Sequence, residues 1–260
     1  VATQKVTNYL VDVSTDGNTW VPVSKRVSTS TSLGLSGLRL GTTYQVRVAA
    51  VNAAGTGAYV YGSFTTLATV ATAPTSLATS NHSGSGFSIG WDTPASNGGS
   101  EITDYVVEIN GGGYSWAPVA HPQSNNTSLS ITGLNPGVKY AVRVKAINSV
   151  GASKSSSTLF VTTLAVLPSS PVVILKAKTA TSALIGWVAP ANGGAKISDY
   201  LVEYSTDGGT TWLRVSKSAS TSTSLTLKNL KTKTSYLFRV SAKNSVGYSA
   251  PSSNLIVVTP

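Results

Sequence analysis

Cysteine and methionine are both absent from the 260-residue chain, and histidine occurs only twice. Without cysteine, the sequence excludes a disulfide framework, a thiolate zinc site and a thiol nucleophile. The charged fraction is also low, at 11%, whereas about 25% is typical of globular proteins. No run of about 18 consecutive apolar residues occurs, so no membrane-spanning segment is predicted. These absences favour a chain of short strands and turns.

Two histidines and several glycine-rich turns are the remaining candidates for site chemistry. His82 and His121 stand in different contexts, and neither has partners at metal-ligand spacing. The stretches NGG and INGGG lack the Gly-Lys that completes a phosphate-binding loop. The sequence therefore predicts no catalytic residue, no metal and no cofactor, and hence a protein that is not an enzyme.

Aromatic residues recur along the chain at a spacing of 96 residues. This spacing relates one set of tyrosines and two sets of tryptophans: Tyr44, Tyr140 and Tyr236; Trp20, Trp116 and Trp212; Trp91 and Trp187. Trp91 has no earlier counterpart, because that position would fall before residue 1. We therefore predict three copies of one unit, residues 1–67, 68–164 and 165–260, of which the first lacks its front.

Each unit consists of short alternating runs of apolar and polar residues divided by turn residues. Asp16-Gly17, after a strand in the first unit, is predicted to form a two-residue hairpin turn. Short strands without a helical segment are typical of an all-β, two-sheet sandwich. In the second unit the runs predict seven strands, near residues 75–79, 86–92, 102–109, 114–120, 127–132, 138–148 and 155–163.

Several motifs recur in the same order in the units. They are a Trp followed by Pro and Gly-Gly, then I-x-x-Y-x-V-E, then L-x-x-x-x-x-Y, and finally A-x-N-x-x-G. GWDTPASNGGSEITDYVVEI (90–109) shows the first part, and YAVRVKAINSVG (140–151) shows the last. Over essentially the whole chain these motifs resemble the fibronectin type III family. The hairpin YSTDGGTTW (204–212) is similar to microbial extracellular members of that family.

The resemblance implies tandem seven-stranded immunoglobulin-like β-sandwiches, the first lacking its A and B strands and keeping strands C to G. It also implies a core tryptophan between the sheets, Trp91 or Trp187. Each unit should have a tyrosine corner, in which a tyrosine hydroxyl bonds to the turn before its strand. The third corner, residues 230–236, lacks the usual Pro-Gly, so its turn is expected to be looser. The corner tyrosines are Tyr44, Tyr140 and Tyr236.

A pair of carboxylates recurs on one strand face. Asp104 and Glu108 share that face, and Asp199 and Glu203 repeat the pair, while the first unit keeps half of it in Asp12. Paired carboxylates can serve acid/base chemistry. Recurrence on a strand face that is expected to be exposed favours a structural role instead.

Positive charge is concentrated in the third unit. Residues 165–260 carry ten Lys or Arg and three acids, whereas residues 68–164 carry four of each. Lys228, Lys231 and Lys233 cluster around the turn before the corner tyrosine. This patch is a candidate site for an anionic polysaccharide or similar polymer, and a solvated lysine-rich surface is the simpler interpretation. Nucleic acid is disfavoured, because no aromatic residues interleave with these lysines.

Two stretches join the units, TTLATVATAPTS (65–76) and TTLAVLPSSPVV (162–173). They contain proline and small residues, with no Gly-rich or charged run. Short joints of this kind limit bending more than Gly/Ser linkers do, so the sequence predicts a semi-rigid string of units.

The partial first unit admits three explanations. The chain belongs to a longer repeat protein, or its front was removed by proteolysis, or another copy supplies the missing strands. The last unit ends in a complete strand, NLIVVTP (254–260), and offers no spare donor strand. We therefore rank the longer repeat protein first.

Together these features predict a non-enzymatic structural or adhesive repeat protein, a stalk or fibre segment at a bacterial cell surface or in the extracellular space. The absence of cysteine suits such a location. The expected partners are copies of itself, neighbouring units of a longer chain, or an extracellular polysaccharide. Two alternatives stay open: a module that binds an anionic glycan through its third unit, and spacers of a secreted polysaccharide-degrading enzyme.

Overall fold

The chain folds into three successive all-β units. The computed structural model of the protein describes residues 4–111 and 115–260, and the ladders between its long strands are antiparallel. The first unit contains β1 (Asn8–Ser14), β2 (Val21–Pro22), β3 (Thr43–Asn52), β4 (Gly55–Thr56) and β5 (Val60–Thr65). The second contains β6 (Thr75–Ser80), β7 (Phe87–Asp92), β8 (Ile102–Gly111), β9 (Ala117–Pro118), β10 (Ser128–Ile131), β11 (Lys139–Asn148), β12 (Gly151–Ala152) and β13 (Leu159–Thr162). The third contains β14 (Val172–Lys178), β15 (Ala183–Val188), β16 (Asp199–Ser205), β17 (Leu213–Arg214), β18 (Ser224–Leu227), β19 (Ser235–Lys243) and β20 (Leu255–Val258).

The second and third units are two-sheet sandwiches. In the second unit, a three-stranded sheet of order β10-β7-β6 faces a sheet of order β12-β11-β8-β9, to which β13 adds beside β11. The third unit repeats this plan with β14-β15-β18 and β17-β16-β19-β20. The predicted fold class is confirmed, and the seven strands predicted in the second unit are present. The seventh is shorter than predicted, and β12 is an addition. The fourth is also shorter, since only Ala117–Pro118 forms a strand, and its predicted start at residue 114 lies outside the described residues.

The core of each complete unit lies between its two sheets. Period-two alternation sends one side of every strand inward, so that Trp91 and Trp187 are only 6% and 5% exposed. Trp91 packs edge-on against Tyr105, and Trp187 against Tyr200, with ring centroids 5.2 Å apart in both pairs. Burial of about 200 Å² of indole surface stabilises each unit by at most ~5 kcal/mol.

A tyrosine corner is present in all three units. The hydroxyl groups of Tyr44 and Tyr140 each accept a hydrogen bond from a backbone amide five residues upstream, at 3.0 Å. Tyr236 accepts the same bond from the Lys231 amide at 2.9 Å, so the expected looser third corner is wrong. The turn keeps its shape because Lys233 adopts a left-handed φ of +48°, where the second unit has Gly137 at +68°. Lysine pays about 1–2 kcal/mol of strain for that conformation.

The first unit has one sheet, of order β2-β1-β3-β4 with β5 beside β3, and no second sheet forms in residues 4–67. The consequence is visible in its apolar side chains: Val11 and Val48 are half-buried, while their counterparts Val107 and Val144 are fully buried. An open groove of about 570 Å³ lies over this uncovered face. The prediction that the first unit lacks its A and B strands is confirmed. The prediction that it keeps all of strands C to G is wrong for strand E, because no strand forms in residues 23–42. In the complete units strand E pairs with the B strand, which is the strand missing here.

The connection between β1 and β2 is longer than predicted. The two-residue turn predicted at Asp16-Gly17 is wrong, because residues 15–20 all lie in the loop. The Asp16 carboxylate accepts hydrogen bonds from the amides of Thr19 (2.7 Å) and Asn18 (2.8 Å), and these bonds hold the loop in shape. The same two amides lower the pKa of Asp16 below its ordinary value.

We expect the single sheet of the first unit to open more readily than its counterparts. Local opening requires less free energy where fewer apolar groups are buried. Amides in β1 and β3 should therefore exchange with solvent faster than those in β8 and β11, as measured by hydrogen exchange with mass spectrometry on the whole chain. Equal protection of the two strand pairs would contradict this account.

Candidate functional site: the joints between units

The first joint passes the backbone from one unit to the next within three residues. The Leu67 carbonyl accepts a hydrogen bond from the Gly41 amide of the first unit at 3.4 Å. The Thr69 amide donates to the Gly98 carbonyl of the second unit at 2.8 Å. Only Ala68 lies between these two anchors, so little of the chain is left to bend.

The second joint repeats this path. The Gly137 amide donates to the Leu164 carbonyl at 3.3 Å, and the Val166 amide donates to the Gly193 carbonyl of the third unit at 2.8 Å. Ala165 alone separates the two anchors. Because the same two anchoring hydrogen bonds occur at both joints, the path of the joint is part of the repeated structure.

At both joints the backbones of adjacent units approach closely at a pair of glycines. A Cβ added at Gly41 would collide with the backbone of Gly99, and one added at Gly137 would collide with the backbone of Gly194. All four glycines also have left-handed φ angles, between +57° and +82°. Glycine is therefore required at each position for two reasons. The backbone adopts a left-handed conformation there, and the contact leaves no room for a Cβ atom.

A buried asparagine ties the first joint to the second unit. The Nδ2 amide of Asn148 donates to the carbonyls of Thr69 and Asn97, both at 2.8 Å. Its Oδ1 accepts from the amides of Val150 and Gly151, at 3.0 and 3.2 Å. Asn148 itself is only 4% exposed, so the four hydrogen bonds satisfy a largely buried amide side chain.

The third unit holds the second joint in the same way. The Nδ2 amide of Asn244 donates to the carbonyls of Val166 (2.7 Å) and Asn192 (2.9 Å), and the residue is 1% exposed. The asparagine of the recurring A-x-N-x-x-G motif is therefore a clamp between the joint and the loop that carries Asn-Gly-Gly.

The second joint has two further contacts with the second unit. The Leu164 amide donates to the Ser83 carbonyl at 2.9 Å. Gly84 lies against Val166, because a Cβ added at Gly84 would collide with the valine side chain. The joint thus rests on the turn between β6 and β7 as well as on the turn before β11.

The sequence indicated only turns at the glycines of the joints. A single sequence does not separate a glycine needed for φ alone from one needed for a contact. The signal that could have found them is the recurrence of glycine at 41 and 137 together with Asn-Gly-Gly at 97–99 and 192–194.

Four of the five recurring carboxylates form ion pairs, and Asp104 instead accepts a hydrogen bond from the Ser124 amide at 3.0 Å. Glu108 contacts Arg143 (Nε to Oε2, 2.6 Å) and Lys145 (Nζ to Oε1, 2.9 Å), and its side chain is largely buried. The Arg143 guanidinium lies 4.1 Å from the centre of the Trp116 ring, in a cation–π contact. The expectation of an exposed carboxylate face is therefore wrong, because the arginine and tryptophan cover it.

The same stack recurs in the other units and explains the second set of spaced tryptophans. In each case an arginine lies over an indole ring and pairs with a carboxylate of the neighbouring strand: Trp212, Arg239 and Glu203 in the third unit, and Trp20, Arg47 and Asp12 in the first. A carboxylate committed to an arginine in all three units is not a free acid/base group.

The predicted anionic-ligand patch lies on the outer end of the third unit. Lys228, Lys231 and Lys233 are exposed, and none of the ion pairs in the described part of the chain includes them. Lys178 joins this end, because its Nζ donates to the Val258 carbonyl at 2.7 Å. The anionic-ligand patch itself stays a prediction, to which Lys178 is a candidate addition.

Other site chemistry is not seen in the described residues. Within residues 4–111 and 115–260, no three His, Asp or Glu side chains come together as a metal site would need. His82 stacks on Phe87 with ring centroids 6.3 Å apart, and His121 contacts the carbonyl of Pro122. No helix in those same residues has the length and apolar character required to cross a bilayer.

Comparison with known proteins identifies the family. The sequence profile of the fibronectin type III domain matches residues 2–64, 72–162 and 168–258. The chain is 30% identical to titin of Drosophila melanogaster over 246 residues, 90% of this chain and 1% of that protein. It is 28% identical to human myomesin-2 over 256 residues, 94% of this chain and 18% of that protein. A crystal structure of the chicken CNTN1 FN1-FN3 domains covers 98% of this chain and is itself covered to 89%, at 22% identity and a TM-score of 0.44.

The chain belongs to the fibronectin type III family, as three tandem domains. It spans less than a fifth of the length of the two curated relatives named above. Both are muscle proteins of animals, and with the family assignment they show a non-enzymatic repeat chain. The exact limits of the units, given above as 1–67, 68–164 and 165–260, stay a prediction.

The Glu108 ion pair makes a prediction about acid stability. Burial acts to raise the pKa of Glu108, but the hydrogen bonds from Lys145 and Arg143 outweigh it, and the pKa lies below its usual 4.5. A lowered pKa stabilises the folded unit above pH 4.5, and that stabilisation is lost as the pH falls through the folded-state value. Glu108→Gln should therefore destabilise the second unit by about 1 kcal/mol at neutral pH and by much less near pH 3.

The measurement is thermal unfolding followed by circular dichroism at a series of pH values. Glu101→Gln is the matched control, since Glu101 is exposed and enters none of the ion pairs described above. A Glu108→Gln effect that is the same at neutral and acid pH would show that the ion pair is not its cause.

Proposed function

We propose that the chain is a structural segment that holds a fixed spacing between whatever lies at its two ends. The observation that carries this proposal is the recurrence of one backbone contact, between Gly41 and Gly99 and again between Gly137 and Gly194. The same contact occurs at two independent joints, and each joint has a single residue between its anchors. This recurrence supports an angle between adjacent units that is the same at both joints and varies little.

The physical basis of the proposal is the nature of the contact. A joint held through flexible side chains can re-pack in many ways, whereas two backbones in contact have no rotamers to exchange. The joint is also bonded to the core of the following unit through Asn148 or Asn244. These part-buried hydrogen bonds hold the joint against the following unit and restrict bending, and the chain behaves as a stalk or fibre segment.

The setting of this stalk is a separate part of the proposal. We propose an extracellular or bacterial cell-surface location, supported by the absence of cysteine and by the Asp-Gly hairpins similar to microbial members of the family. Exposed sheet faces would hold neighbouring chains together in a fibre. Brief protease treatment of intact source cells should release peptides of this chain, and their appearance only after lysis would contradict a surface location.

Rigidity of the second joint is the direct test of the spacing function. Ser130 and Thr226 are exposed, equivalent positions in the second and third units, and cysteines introduced there are unique because the chain has none. Spin labels at these two sites should give a narrow distance distribution by pulsed electron paramagnetic resonance. Gly137→Ala should broaden or shift that distribution, because the added methyl group collides with Gly194.

The control for that substitution is Gly133→Ala. Gly133 has a left-handed φ of +75° like Gly137, but a Cβ added there meets nothing within 4 Å. The two variants therefore share the backbone strain and differ in the contact. A broad distribution in the unmodified chain, or equal effects of both variants, would contradict the proposal.

A second function is favoured by the basic end of the third unit. Lys178, Lys231 and Lys233 each contact the last strand or the residues just after it, and Lys228 precedes the latter two in the turn before β19. No ion pair of the described residues includes any of the four. A surface of this kind attracts an anionic polymer by electrostatics that weaken as salt is added. We propose an extracellular anionic polysaccharide as its ligand.

Retention on an immobilised anionic polysaccharide such as heparin tests this second function. Changing Lys228, Lys231 and Lys233 to Gln should lower the salt concentration that elutes the chain. The matched control changes three other exposed lysines to Gln, namely Lys154, Lys176 and Lys196, with the same loss of charge. Equal loss of retention in both variants would show that net charge alone, and not this patch, is responsible.

A further inference from the structure

The outer end of the third unit differs from those of the first two at the position that contacts the next unit. The first and second units have Gly41 and Gly137 there, in backbone contact with the following glycine. The third unit has Lys233, which keeps the left-handed φ of +48° but carries a side chain. A following unit placed as at the two joints would collide with the Cβ of this lysine.

Two further positions of the third unit differ from those of the second, and both differences also disfavour the contact seen at the second joint. Gly84 of the second unit lies against the joint residue Val166, and its counterpart 96 residues later is Ala180. Leu164 donates its amide to the Ser83 carbonyl, and its counterpart is Pro260, which has no amide hydrogen to donate. The third unit therefore lacks a hydrogen bond and has two additional Cβ atoms in the contact.

The internal hydrogen bonds at this end of the third unit are the same as in the second unit. The differences are therefore confined to positions at the contact with a following unit. The Lys233 amide donates to the Pro260 carbonyl at 3.3 Å, as the Gly137 amide does to Leu164. The Thr259 hydroxyl bonds to the Lys231 carbonyl at 2.6 Å, as in the other units. The tyrosine corner is intact as well. A poorly formed end would show differences in these internal bonds too.

We propose that the Asn-Gly-Gly loop of a unit selects its neighbour, and that it seats only a unit with glycine at the position of Gly137. By this rule the third unit does not seat a further unit in the geometry of the two joints. A unit placed after Pro260 would be attached by a freer connection. The inference rests on the proposed spacing function, because it assumes that the first two joints are rigid.

The first experiment transfers the three residues of the third unit into the second. The variant is the whole 260-residue chain with three substitutions, Gly137→Lys, Gly84→Ala and Leu164→Pro. It carries the same spin labels at positions 130 and 226 as in the test of the second joint. We expect a distance distribution about twofold broader than that of the otherwise unmodified chain, as for a flexible connection. Thermal unfolding of the variant checks that both units still fold. Folded units with an unchanged distribution would overturn the proposal.

The second experiment does not depend on the stability of that variant. Residues 165–260 are repeated after Pro260, and labels at position 226 of the third unit and at its repeat report the added joint. We expect a broad distribution, which Lys233→Gly, Ala180→Gly and Pro260→Leu together should narrow. A narrow distribution before these changes would overturn the selection rule. A broad distribution at the natural second joint would instead contradict the spacing function, so the two failures are distinguishable.

Discussion

The structure depends on the close approach of two backbones at each joint. A Cβ at any of the four glycines would be driven into the neighbouring unit, and real proteins do not tolerate such overlaps without movement. Side chains that do not contact a joint can vary without altering this backbone contact. These glycines cannot, and the angle between successive units therefore depends on them.

Hydrogen bonds within each following unit hold the joint in position for this contact. Asn148 and Asn244 connect each joint to the Asn-Gly-Gly loop and to the turn after the long central strand of the following unit. That strand lies in a core closed by a second sheet and by Trp91 or Trp187. One asparagine side chain therefore connects the joint, the loop and this turn of the following unit.

Much of the fold could be predicted from the sequence because strand alternation and the 96-residue spacing are local and repeated. The expectation of an exposed carboxylate face is wrong because Arg143 lies opposite Glu108 on the neighbouring strand, and pairing between strands is not visible in the sequence of one strand. The hairpin turn was misjudged because Asp16 bonds to amides further along the loop. The joints were missed because the partner of Gly137 lies in another unit, 57 residues away, and only the structure brings the two together.

The most direct test of a fixed joint compares the orientation of the second and third units in solution. Residual dipolar couplings of backbone amides, measured in a weakly aligning medium, give one alignment tensor for each unit. A fixed joint predicts tensors of the same magnitude and orientation in the frame of the structure, and Gly137→Ala should make them diverge. Tensors that differ in the unmodified chain would show that the units move independently, and the account of the joint as a fixed spacer would be wrong.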